Sequence, residues 1–128
     1  MRKLTVEHVI ALHKAIVMKT GGNDGIRDEG LLDSAVNAPF QSFGGYDMYT
    51  SLVEKAARLG FGLAQNHAFI DGNKRIGTHA MLTFFDRNNV QIKYDAKDLI
   101  GEIFGVADGS VTYEDFLNWL EAHIQNEN

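Results

Sequence analysis

Nine consecutive residues, His67-Ala68-Phe69-Ile70-Asp71-Gly72-Asn73-Lys74-Arg75, concentrate most of the chemistry this chain can offer. His67 carries an imidazole, which exchanges protons near cellular pH and can take one from an attacking hydroxyl. Asp71 is a hard carboxylate, suited to a Mg²⁺ ion that bridges phosphate oxygens. Gly72 lets the backbone turn sharply and approach a ligand closely. With a helix starting there, the amides around Gly72, Asn73 and Lys74 are unpaired N–H groups at the positive end of its dipole, which attracts phosphate. Arg75 adds a fork of donors able to grip phosphate oxygens in two places, and Lys74 a compact positive charge. A base, a metal ligand and an anion cradle thus lie within nine residues.

Each residue alone has a plainer use. His67 lies in line with Leu52, Ala56, Leu59 and Leu63 and would serve equally as a structural histidine at a helix end. Phe69 reads as a core anchor that fixes the loop. Asp71 and Asn73 are ordinary cap and turn residues, and Lys74 and Arg75 an ordinary solvated surface. Only the combination at this spacing points to catalysis.

Two helices must hold such a loop. Residues 51–66 carry the apolar stripe just named, at spacings of four, three and four, and the stripe points at His67. Ile76, Ala80 and Phe84, flanked by Gly77, Met81 and Phe85, predict a second helix running to about Arg87. Upstream, Val6, Val9, Ile10, His13 and Val17 form a helical stripe with Thr5 as N-cap, ended by Gly21-Gly22-Asn23. A short helix from Glu29 to Asn37 buries Leu32, Ala35 and Val36, and Pro39 stops it. Between 40 and 50, Gly44-Gly45 among Phe40, Phe43, Tyr46 and Tyr49 suggests an exposed hairpin or flap, its aromatics either a partner-binding surface or part of a partly buried loop. Val90 to Tyr94 reads as an extended link, and Asp95 begins a helix to about Val106. A capping box from Thr112 to Asp115 starts the last helix, which buries Phe116, Leu117, Leu120 and Ile124 and ends in a solvated acidic tail from Glu121 to Asn128. No repeat or linker divides the chain. The expectation is one all-α domain over residues 1–128, of about six helices with a short hairpin-like flap.

Composition narrows the functional classes. The 128 residues are 45% hydrophobic and 23% charged, ordinary for a globular protein with a single modest core. A net charge of -5 argues against broad electrostatic binding to nucleic acid, so an anionic ligand needs a local basic cluster. Without cysteines there are no disulfides or thiolate metal sites. No apolar run approaches the roughly 18 residues of a membrane span, and no signal-peptide core follows Met1-Arg2-Lys3. The expected location is the cytoplasm.

The pattern His67-x-Phe69-x-Asp71-Gly72-Asn73-x-Arg75 resembles the signature of the Fic family, His-x-Phe-x-Asp/Glu-Gly-Asn-x-Arg. Gly25-Ile26-Arg27-Asp28-Glu29-Gly30-Leu31-Leu32 and the paired helices extend the resemblance to the short Doc, or death-on-curing, branch, over about Thr5 to Val90. It implies an all-helical Fic/Doc fold, a flap that aligns a target segment, and transfer of a phosphate-containing group to a protein hydroxyl. Most members resemble AMP transferases, with glycine between the motif's Asn and Arg. Lys74 stands there instead, partly filling the cradle with a cation of its own. Asn-Lys-Arg is similar to the Doc pattern, and Doc-type proteins pass the γ-phosphate of ATP to a threonine of elongation factor Tu, arresting translation.

By carry-over His67 is the base and Asp71 the Mg²⁺ ligand, while Gly72, Asn73, Lys74 and Arg75 cradle the phosphates of ATP. Ala68 replaces the proline common in AMP-transferring members and carries little weight. The family's inhibitory pattern, Ser/Thr-x-x-x-Glu-Gly/Asn, has no match: Glu29-Gly30 and Glu127-Asn128 supply the final pair, but Gly25 and His123 stand four positions before them. Restraint must then come from outside, which predicts a Phd-like antitoxin whose flexible segment folds on binding. AMP transfer and a non-catalytic interaction protein are the rival readings.

Overall fold

Helix starts follow the cap residues. In the computed structural model, which describes residues 1–127, the Thr5 hydroxyl accepts from the backbone N–H of His8 and opens α1 (Val6–Thr20). Asp28 caps α2 (Glu29–Asn37) through the N–H of Leu31. Ser51 and Glu54 form a reciprocal capping box at α3 (Leu52–Gln65). Such a box satisfies two donors that a helix start leaves without partners. Asp95 caps α5 (Ala96–Asp108), and Thr112 with Asp115 caps α6 (Tyr113–His123). Helix α4 (Asn73–Arg87) is different, because its N-cap is Gly72, left-handed at φ 76° and without a side-chain hydrogen bond. The helix that carries the candidate loop therefore begins with bare amides.

Apolar faces of the helices meet in one core, whose largest buried side chains include Phe69, Phe84, Phe85 and Phe116. Helices α3 and α4 cross at its centre over Gly60 and Gly77. A β-carbon on Gly77 would lie 2.9 Å from the Gly60 carbonyl oxygen, closer than real β-carbons come, and a tight 3.0 Å from the Ala64 nitrogen. Only glycine permits that approach. The contact fixes the end of α3 against the start of α4, and the nine-residue motif lies at their connection.

The chain is mostly α, with two short antiparallel strand pairs. Strands β1 (Ser42–Phe43) and β2 (Tyr46–Asp47) form the expected hairpin, with Gly44 and Gly45 at positive φ in its turn and Phe43 and Tyr46 exposed. Its base is tied to α3 by Lys55, a buried side chain whose ammonium donates to the Tyr49 carbonyl and meets Asp47 Oδ2 at 3.3 Å. The expected link after α4 is β3 (Val90–Ile92).

The partner of β3 corrects the reading of the tail. Helix α6 stops at His123, and β4 (Ile124–Glu127) pairs antiparallel with β3, placing Ile124 opposite Ile92. Ile124 is thus a half-buried strand residue rather than part of the helix face, because the unpaired N–H and C=O groups of β3 offer it a ladder. Asn128, where the expected acidic tail ends, lies outside the described residues. No helix among those residues is long and apolar enough to cross a membrane.

Candidate active site

The motif loop lies against a backing segment, residues 23–28, that pins it almost residue by residue. The backbone N–H groups of Arg27 and Asp28 both donate to the Ala68 carbonyl, at 2.8 and 3.0 Å, and the Ile70 N–H donates to Gly25. Ile26 and Phe69 form an isolated antiparallel bridge. The Arg27 side chain donates through Nε to the His67 carbonyl at 2.6 Å, and Asn66 donates from its side chain to Leu31. The Gly25-to-Leu32 stretch is thereby the loop's scaffold. Ala68 and Phe69 are buried beneath it, so Phe69 is the core anchor its sequence position suggested.

His67 does not prolong the α3 stripe. The helix ends at Gln65, and His67 turns left-handed at φ 54°, leaving the residue exposed with no side-chain hydrogen bond among the described residues. A non-glycine residue there is strained by about 1 kcal/mol or more. The bond from Arg27 to its carbonyl helps to hold that turn. An exposed histidine without a side-chain partner among the described residues is not a core histidine.

At the other end of the loop, Asp71 is exposed and its Oδ2 accepts from the Asn23 N–H at 2.9 Å. Its second oxygen makes no hydrogen bond among the described residues. No group of three or more His, Asp or Glu among them could hold a metal. A lone oriented carboxylate still fits Mg²⁺, which takes one or two carboxylates and completes its shell from phosphates and water. Gly72 then turns the chain into α4. The Ile76 N–H reaches back to the Gly72 carbonyl, while the amides of Asn73, Lys74 and Arg75 precede the first helical bond.

The side chains divide the labour unevenly. Asn73 is buried with its amide turned inward onto the backbone of Phe69, which leaves its own backbone N–H for a ligand. Arg75 leans back over Gly72, its Nη1 bonded to the Thr20 hydroxyl and 3.4 Å from the Gly21 carbonyl at the end of α1. Lys74 is exposed, with Nζ 5.0 Å from the centre of the Phe104 ring on α5, within reach of a cation–π contact. A cavity of about 350 Å³ opens between Gly72, Asn73, Lys74, Arg75 and Phe104.

Sequence patterns alone passed over several contributors. Phe104 went unnamed within the helix expected from Asp95 to Val106, Asn23 stood only in the Gly21-Gly22-Asn23 stop, Arg27 only in the Gly25-to-Leu32 pattern, and His13 as one member of an apolar stripe. His13 is buried on α1 directly under the loop, 2.7 Å from the Asp71 carbonyl. Of these, only Arg27 carried a sequence signal, as part of the Gly25-to-Leu32 pattern.

A histidine and a carboxylate on one pinned loop, beside the basic N-terminus of α4, thus lie together in a mostly helical protein. The chain belongs to the Fic/DOC family, whose model matches residues 3–85. It is 46% identical over 88 residues to the protein named Toxin Doc from Mycolicibacterium smegmatis (strain ATCC 700084 / mc(2)155), an overlap of 65% of this chain and 68% of that one. It is 33% identical over 112 residues to the protein named Protein kinase doc from Escherichia phage P1, covering 88% of this chain and 87% of its relative.

Proposed function

We propose that this protein is a Doc-type toxin that transfers the γ-phosphate of ATP to a threonine of elongation factor Tu in the cytoplasm, blocking translation, and that a Phd-like antitoxin restrains it. The observation that carries the reading is the Asn73-Lys74-Arg75 run at the uncapped start of α4, where the Lys74 ammonium beside Phe104 forms part of the cavity wall. A glycine there would leave open room for an AMP-transfer pose; a lysine narrows the cradle and adds charge at its mouth. The similarity to the phage P1 protein kinase supports the same choice.

The residues divide the reaction as follows. His67, exposed and without a side-chain hydrogen bond among the described residues, takes the proton from the threonine hydroxyl as that oxygen attacks the γ-phosphorus. The bond from this phosphorus to the β–γ bridging oxygen breaks, and ADP leaves. Backbone amides of α4, with Lys74 and Arg75, hold the phosphates and stabilise charge as it develops. Asp71 would hold Mg²⁺, which when bound neutralises phosphate charge. The hairpin, with Phe43 and Tyr46 exposed, offers edge backbone along which a target segment can lie.

The test is to incubate the protein with purified elongation factor Tu and ATP labelled on either the γ- or the α-phosphate. Label should pass from γ-ATP to a threonine and vanish with His67→Ala. Transfer from α-ATP alone would assign AMP transfer instead, and an unlabelled factor would exclude this target. Growth arrest undiminished by His67→Ala would mark a non-catalytic protein.

A further inference from the structure

His13 is a buried histidine that the phosphate-transfer chemistry leaves unused, and its surroundings are specific. Only 1% of the residue is exposed. Its ring stacks on Phe69 with centroids 3.7 Å apart and planes 14° from parallel, which fixes its orientation. Its Nε2 lies 2.7 Å from the Asp71 carbonyl oxygen, while Nδ1 is buried with no hydrogen-bond partner among the described residues. A carbonyl can only accept, so Nε2 carries a proton and donates it to that oxygen. A β-carbon on Gly72 would lie 3.4 Å from the same Nε2, so the imidazole packs directly against the turn.

This contact decides which way one peptide group faces. Within a trans peptide the C=O and N–H point in opposite directions. Drawing the Asp71 carbonyl inward onto His13 therefore aims the Gly72 N–H outward. The Asp71–Gly72 peptide needs such a hold, because glycine tolerates both orientations of the preceding peptide plane. We infer that His13 is a positioning residue of the active loop: its Nε2–H locks the Asp71–Gly72 peptide so that the Gly72 N–H joins the amides of α4 as a donor to bound phosphate. The inference rests on the loop being the phosphate site proposed above. It also explains why an imidazole occupies a place in the α1 stripe that a leucine would otherwise fill.

Two variants separate the donor from the bulk. His13→Phe keeps the ring and its stacking and removes the hydrogen bond; His13→Gln restores a donor near the Nε2 position. Losing one preorganised donor in such a site lowers the chemical step by about tenfold or more, so kcat should fall by that factor in His13→Phe with KM for ATP changed less than about threefold. His13→Gln should recover kcat to within about threefold of the wild type. A wild-type kcat in the Phe variant, or a Gln variant as slow as it, would overturn the assignment.

Nitrogen NMR of the wild-type protein tests the same claim without a variant or a turnover. The His13 ring should show a hydrogen-bonded Nε2–H, and the Gly72 amide should shift on adding inorganic tripolyphosphate with Mg²⁺. A ring without a proton on Nε2, or a Gly72 amide that does not respond, sinks the inference. Should the wild type transfer no phosphate to elongation factor Tu, the functional proposal fails, while these spectra still decide the role of His13.

Discussion

The side chain of Asn73 is bonded at both ends to the backbone of Phe69, accepting from its N–H and donating to its carbonyl, each at 3.0 Å. This pair closes the motif loop on itself and sets where α4 begins. Asn73→Ala leaves two buried backbone groups of Phe69 unpaired, which predicts a loss of about 2–4 kcal/mol. Urea denaturation should show a lower midpoint at unchanged slope. A midpoint within error of the wild type would mean that the backing segment alone holds the loop.

Gly77 and Gly101 predict opposite outcomes for the same substitution. Alanine at 77 would place a β-carbon 2.9 Å from the Gly60 carbonyl and force α3 and α4 apart, at a cost of about 1–3 kcal/mol. At 101, on α5, a β-carbon meets nothing within 4 Å, so Gly101→Ala should stabilise by about 0.5–1 kcal/mol through helix propensity. Thermal melts of the two single variants check both signs at once.

Tyr113 links stability to alkaline pH. Burial pushes its phenol pKa well above the usual tyrosine range, with the Glu54 carboxylate and Tyr49 adding to the shift, and its hydroxyl donates to the Glu54 carbonyl at 2.9 Å. A raised folded-state pKa means that the contribution is fully present below the unfolded value of about 10 and is lost as pH rises toward the folded value. Stability should therefore decline above about pH 10. Tyr113→Phe should flatten that decline while lowering stability near neutral pH by about 1 kcal/mol. Equal alkaline slopes in wild type and variant would remove Tyr113 as the cause.

Lys55 fastens the hairpin from below. With its ammonium gone in Lys55→Met, the Tyr49 carbonyl loses a buried donor and Asp47 its ion pair. Amide exchange at Met48, which donates to the Gln41 carbonyl across the hairpin, should quicken by about tenfold, while buried Leu63 on α3 keeps its protection. Parallel acceleration at both sites would point to global destabilisation instead of a loosened flap.

Much of this molecule was legible in one dimension because its signals are local. Thr5 and the Thr112–Asp115 box sit within four residues of the amides they cap, and the stripes of α1, α2 and α4 repeat at the helical period. The motif from His67 to Arg75 was legible for the same reason, since a loop between two helix ends brings its own residues together. Local reading failed where a pattern ran past its element. The α3 stripe pointed to His67, yet a left-handed turn takes that residue out of it, and the α6 stripe ran into Ile124, which is strand.

Residue order alone was enough for the helices, the family pattern and the residues able to do chemistry, because each depends on neighbours a few positions apart. Tertiary structure alone decided which way those residues face. His13 reaches Asp71 across 58 positions, Arg27 reaches His67 across 40, and β4 finds β3 only after two helices intervene. Such contacts form where packing happens to bring a donor to a buried acceptor, and no periodicity records them. The bare amides of α4 and the Gly72 turn were thus foreseeable, whereas the imidazole that meets the Asp71 carbonyl came into view only once α1 lay beneath the loop.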